Sequence, residues 1–153
     1  MSNPWKTIAV TDLDGYLMSI QLDAIRTGGM RAGQADPFSI VMPNVVNTIR
    51  TTIAKRGKPI SATALTVPDE ARSHTIWLII DALQTRIPGL MVTNDQKRHV
   101  EDAKEFLAAL GESDTAVSTP TDPMQPVVNI GAGVVVVSGS GKRFNRGSLD
   151  GFM

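Results

Sequence analysis

Asp12 and Asp14 stand two positions apart, after the apolar run Ile8-Ala9-Val10 and before Gly15. Paired carboxylates are residue types suited to nucleophilic attack and to general acid–base work. The same stretch also suits a helix start, with Thr11 as N-cap and acidic side chains opposing the helix dipole in the first turn. Imidazole chemistry rests on His74 and His99 alone. They fall on different predicted helices, with no His-x-x-x-His pair, so no metal site is expected. His74, near Glu70, reads as a surface or interface residue. The chain has no cysteine, which removes disulfides, thiolate metal sites and cysteine nucleophiles. The glycine-rich tail fails as a phosphate loop, because Val136 stands where the first glycine is needed and Arg143 follows Gly141-Lys142. Gly131-Ala132-Gly133 lacks the third glycine of a dinucleotide fingerprint, and no Gly-x-Ser-x-Gly elbow occurs. No cofactor is expected.

The elements that must carry these residues are helical up to about residue 111. The first helical region runs from Thr11 towards Thr27, with Leu13, Leu17, Ile20 and Ala24 at helical spacing. Ser19 is a second N-cap candidate and Gly15 weakens one long helix, so the region reads as one helix or two short ones. After Asp36-Pro37, the ring of Pro43 argues for a short turn to Met42 and then a helix from Pro43 to Arg56. Val45, Val46, Ile49 and Ile53 form its apolar stripe. The third helix opens at Pro68-Asp69-Glu70 and closes with Arg86 before Pro88-Gly89. Ile76, Trp77, Leu78, Ile79, Ile80, Ala82 and Leu83 make it apolar nearly all round, as in a helix surrounded by others or by another subunit. A fourth helix runs from about Asn94 to Leu110. Trp77, Ile80, Leu83, Phe106 and Leu110 are expected to be buried, with Trp77 as a core or interface anchor.

Length and composition frame this pattern. The chain has 153 residues, 42% of them apolar and 20% charged, with fifteen basic and fifteen acidic side chains. One domain with one core follows. A net charge of zero argues against a protein whose main task is gripping nucleic-acid phosphates. The longest apolar run, Ile76 to Ile80, is too short to span a bilayer, and Met1 to Lys6 lacks a signal-like stretch. A soluble protein made in the cytoplasm is expected. The fold class expected is all-α: a small bundle of four to five helices over residues 1–111, a Pro/Ser/Thr linker over 112–126, and an extended C-terminal arm over 127–153. The linker composition predicts an extended, mobile segment. In the arm, Val134, Val135, Val136 and Val137 form a β segment that needs a partner edge.

The Asp12-Leu13-Asp14-Gly15 stretch resembles the first motif of haloacid-dehalogenase-type phosphatases. That resemblance implies attack on phosphorus by Asp12 and general acid work by Asp14. Tyr16 stands where the family has a hydroxyl residue, and no later acidic pair of the magnesium-holding kind is apparent. The alternation of strands and helices is absent as well.

A second resemblance covers nearly the whole chain and rests on the order of its motifs. Trp5, Thr11-Asp12, Leu22-Asp23-Ala24-Ile25-Arg26 and Gly33-Gln34-Ala35-Asp36-Pro37 come first. Pro68-Asp69-Glu70, Thr85-Arg86-Ile87-Pro88-Gly89-Leu90 and the terminal stretch from Arg143 to Phe152 follow. This succession resembles the Mu-like tailed-phage head–tail adaptor, or connector, family. Pro43 and Gly28-Gly29 depart from it, in stretches that are usually plain helix. The resemblance implies a non-enzymatic structural protein of the virion neck, repeated as a ring of twelve copies beneath the portal. Its implied partners are the portal protein, a stopper or tail-completion protein, and DNA passing transiently through the lumen; another ring protein of the virion is the alternative within that class. The arm then becomes the expected portal-binding segment, through Val134 to Val137, Arg143, Phe144, Arg146, Leu149 and Phe152.

Overall fold

The computed structural model describes residues 2–28, 35–112 and 115–124. Along these the chain forms β1 (Trp5–Thr7), a 3₁₀ helix (Val10–Gly15), α1 (Ser19–Gly28), α2 (Pro37–Lys55), β2 (Thr66–Pro68), α3 (Asp69–Arg86) and α4 (Asn94–Glu112). The expected small helical bundle is present, with five helices among the described residues. It also carries a two-stranded antiparallel sheet that the apolar pattern does not announce, with Trp5 opposite Pro68 and Thr7 opposite Thr66. Three-residue strands are too short for a period of two to show. No helix among the described residues is long and apolar enough to cross a membrane.

The first helical region divides in two, and its start lies ahead of Thr11. Ala9 is the N-cap of the 3₁₀ helix, and its backbone N–H donates to Asp12 Oδ2 at 2.8 Å. Thr11 is therefore inside the helix. α1 then begins at Ser19, where Gln21 Oε1 accepts from the Met18 backbone N–H at 2.9 Å.

α2 is one helix and not a turn followed by a helix. Pro43 lies inside it. The proline cannot donate to the Ser39 carbonyl, which costs about 3 kcal/mol in a helix interior. Continuity across Pro43 keeps Phe38 and Val41 on the same buried side as Val46, Ile49 and Ile53. Burial contributes about 1.5–3 kcal/mol per large apolar side chain, so two anchored residues offset the proline. The Asp36 side chain caps the start, accepting from Phe38 N–H at 3.1 Å.

α3 is central, packed along both α2 and α4, which also touch each other. Ile76, Ile79, Ile80 and Leu83 are sealed from solvent, together with Leu13, Val46, Ile49, Ile53 and Val67. Leu110 is buried, as expected. Trp77 and Phe106 are only partly buried, against expectation. Three apolar sides on α3 exceed what two neighbouring helices can cover, so Trp77, Leu78 and Ala82 lie at the edge of the core.

The segment whose composition reads as a free linker is docked over residues 115–124. Ala62 N–H donates to the Asp122 carbonyl at 2.6 Å, and Met124 N–H donates to the Ile60 carbonyl at 2.7 Å. An isolated bridge joins Ser61 to Pro123. The segment is extended, as Pro120 and Pro123 favour, but its polar backbone finds partners on the body. The arm residues Val134 to Val137, Arg143, Phe144, Arg146, Leu149 and Phe152 lie outside the described residues.

Candidate functional site

Three arrangements on this bundle bear on function. The first is a polar node where the two ends of the described chain meet. Asp122 is its centre. Its Oδ1 accepts from the Asn3 side-chain amide and from Ser61 Oγ at 2.7 Å, and its Oδ2 accepts from Thr63 Oγ1 at 2.6 Å. Beside it, Trp5 Nε1 donates to the Ser118 carbonyl at 2.8 Å. Ser118 donates its hydroxyl to Glu70, and Lys58 donates to the Thr115 carbonyl. Burial opposes charge on Glu70, but the Ser118 hydroxyl together with backbone hydrogen bonds at Glu70 and Ser118 outweighs it, and the carboxyl lies below its usual range.

Arg50 lies beneath this strap. Its Nη1 donates to the Thr66 carbonyl and hydroxyl, both at 2.9 Å, and its Nη2 donates to the Ser61 carbonyl at 2.7 Å. The guanidinium also sits over the Trp5 ring, 5.7 Å from its centroid, within cation–π range. Burial pushes the guanidinium down from its usual value and Asp122 pulls it back up. One cation thus ties α2 to β2, to the Ser61 turn and to the N-terminal strand.

The hydroxyls of Thr63 and Ser61 lower the Asp122 carboxyl to about 2 from an ordinary 3.8. A folded-state value below the unfolded one stabilises the fold fully above pH 4, and that contribution fades as pH falls towards 2. Acid should therefore loosen the strap in that window, seen as a shift of the Trp5 indole N–H resonance. Asp122→Asn should remove the transition between pH 4 and 2. An unchanged transition in that variant would assign it to another carboxylate.

The second arrangement holds the aspartates and histidines. Both oxygens of Asp12 are engaged: Oδ2 with Ala9 N–H, and Oδ1 with Arg72 Nη2 at 2.8 Å. Asp14 is exposed on the same 3₁₀ helix. These two contacts fix the Asp12 side chain at the start of the 3₁₀ helix. Among the described residues, no three His, Asp or Glu side chains are grouped to hold a metal ion. Asp12→Asn should cost at most about 1 kcal/mol, since a first-turn carboxylate contributes a few tenths to one. Urea unfolding measures it, and a phosphate-ester assay on the same variant reads any turnover lost with folding intact.

His74 and His99 each lie against an aromatic ring. His74 stacks on Phe106 with centroids 4.2 Å apart, and His99 stacks on Trp77 at 5.0 Å. Tyr16 also meets Trp77, in an edge-to-face arrangement with centroids 5.5 Å apart. Burial pushes the His74 imidazole down, with Asp102 acting in the opposite sense. The two imidazoles serve as flat packing partners between α3 and α4.

The third arrangement is apolar surface. Met18, Ile20 and Met91 are 52%, 73% and 79% exposed, and they border one shallow depression with Val92. Gln21, itself buried, pins this region: its Nε2 donates to the Met91 carbonyl at 2.6 Å and to Gln96 Oε1 at 2.7 Å. Elsewhere, Val45, Ile49, Leu78 and Leu107 line an apolar slot with Thr48 where α2, α3 and α4 meet.

Sequence reasoning missed Asn3, Arg50, Ser61, Thr63 and Asp122. The only local hint was a tryptophan close to the start of a chain with two tryptophans. Comparison with protein-family models, with curated proteins and with solved structures returns no match.

Proposed function

We propose that the chain is a structural head–tail adaptor of a tailed phage, without enzymatic turnover. It forms a homo-oligomeric ring of twelve copies in the virion neck, beneath the portal protein and above a stopper or tail-completion protein, with DNA passing transiently through the lumen. The order of motifs from Trp5 to Phe152 supports this reading. So does a neutral chain, which suits a channel that DNA must slide through.

The observation that carries the reading is the docked strap. Met124 is tied to Ile60, so the chain beyond it departs from a fixed point on a stable body. A binding segment anchored in that way delivers its apolar residues to a partner while the body keeps its own contacts. The last twelve residues carry Lys142, Arg143 and Arg146 against Asp150, a net charge of +2 that guides encounter with an acidic portal surface. Phe144, Leu149 and Phe152 are the apolar anchors of that contact.

Truncation after Gln125 tests the reading, because it spares every described residue. Helicity should remain and binding to purified portal should be lost. Full affinity in the shortened chain would remove the arm from the interface.

A further inference from the structure

We infer that a groove between α2 and the connection to β2 is the docking site, within the same chain, of residues 126–130, the first stretch beyond the strap. The groove has a volume of about 380 Å³. It is lined by Thr51 and Ala54 from α2 and by Ile60, Ala62 and Leu65 from the connection. Ala54 and Ala62 are exposed, while Ile60 and Leu65 are half-buried and packed against the core. Small side chains beside larger apolar ones leave room for aliphatic groups to enter. Met124 lines the same groove, and 47% of its surface is exposed there. The strap thus ends inside the site that its continuation would fill.

Continuity, register and composition choose the occupant. Ser61 pairs antiparallel with Pro123, with Ala62 N–H bonded to the Asp122 carbonyl and Met124 N–H to the Ile60 carbonyl. In that register the next donor from the strap would be residue 126, opposite Lys58, and Pro126 has no N–H. The ladder has nothing to carry it further, so side chains must supply the next contact. Val127, Val128 and Ile130 follow at once, and residues 125–133 carry no charge. Only Gln125 and Pro126 separate Met124 from Val127. So short a tether holds the segment at an effective concentration of roughly millimolar or above, enough to fill a groove too weak to capture a free peptide. Gly131 and Gly133 then release the chain from any set direction, which leaves Val134 to Val137 free for another edge. The inference does not rest on the neck assignment, because both sides of the contact belong to one chain.

The absence of cysteine in the chain makes the test direct. Ala54→Cys, and separately Thr51→Cys, places a single thiol at an exposed helix position in the groove of the full-length protein. Its reaction rate with a bulky maleimide dye reads whether the groove is covered. Both thiols should react about tenfold more slowly than in a full-length chain that also carries Val127→Ser, Val128→Ser and Ile130→Ser, as for a groove occupied about nine-tenths of the time. The slow rate should persist through about a hundredfold dilution, because a tethered contact does not depend on protein concentration. Val135→Ser with Val137→Ser should leave it unchanged. Equal rates with and without the three serines would overturn the inference. So would a rate that rises on dilution, which assigns the groove to a neighbouring copy, or one that rises with the Val135 and Val137 changes, which assigns it to the distal arm. Far-ultraviolet circular dichroism of each protein should show unchanged helicity, since every substituted residue is an exposed helix position or lies beyond Met124.

Discussion

Arg50→Ala lowers the stability of the fold by about 3 kcal/mol, read as a fall in the urea midpoint with an unchanged slope. Arg50 is 6% exposed, and its guanidinium donates to three acceptors, the carbonyls of Thr66 and Ser61 and the hydroxyl of Thr66. Removing it takes the charged donor from those acceptors, leaving the Thr66 hydroxyl only its bond to the Thr63 carbonyl, and it takes away the cation over Trp5. Truncating one side of a buried, charged hydrogen-bond network typically costs 2–5 kcal/mol, more than a surface ion pair can contribute. Arg50→Lys should recover only part of the loss, because one ammonium cannot reproduce the fork that bridges β2 and the Ser61 turn. A change below about 0.5 kcal/mol, the level of an ordinary surface substitution, would contradict this role for Arg50.

Ile80→Ala should cost a further class of energy, about 3–4 kcal/mol, through a cavity at the centre of the bundle. Ile80 is fully buried on α3, the helix that packs against both α2 and α4. Trp77→Ala should cost less, about 1–2 kcal/mol, although the side chain removed is larger. Its ring touches Tyr16 and His99 and is only partly buried, at the edge of the core, so solvent fills the space it leaves. Sequence reasoning alone gives Trp77→Ala roughly 3–5 kcal/mol, the figure for a closed core. Thermal or urea unfolding of the two variants side by side decides the order. A Trp77 variant less stable than the Ile80 variant would place the centre of the core elsewhere.

The difference between those two residues shows what local pattern carries. α3 was legible because its signals are adjacent: Pro68, Asp69 and Glu70 at the start, Arg86 at the end, and an apolar run between. Which of its apolar sides would be covered was not legible, since that depends on where α2 and α4 lie. Pro43 misled for a related reason. Its local cost is known, but the offset comes from Phe38 and Val41 packing on other elements. The strap was hidden most completely. Asn3 and Asp122 are 119 positions apart, and Ser61 and Asp122 are 61 apart. No local composition distinguishes a Pro/Ser/Thr stretch that docks from one that does not. Asp12 was readable as a capping residue, while its partner Arg72, sixty positions away, was not.

The sheet has the same origin. Three-residue strands hold together here because Trp5 and Val67 are buried and Arg50 spans from β2 to the Trp5 ring. Tertiary contacts make these strands, and propensity alone would not. Leu65, just before β2, has a φ of 59°, a left-handed conformation that a leucine adopts only under such constraint.

The most direct test of the account is an asymmetric reconstruction of tailed-phage particles assembled with this chain. The account predicts a closed ring of its copies at the portal vertex, between capsid and tail, with density from each copy continuing onto the portal. Particles with a complete neck that lacks the chain, or copies of the chain at any other site, would contradict it.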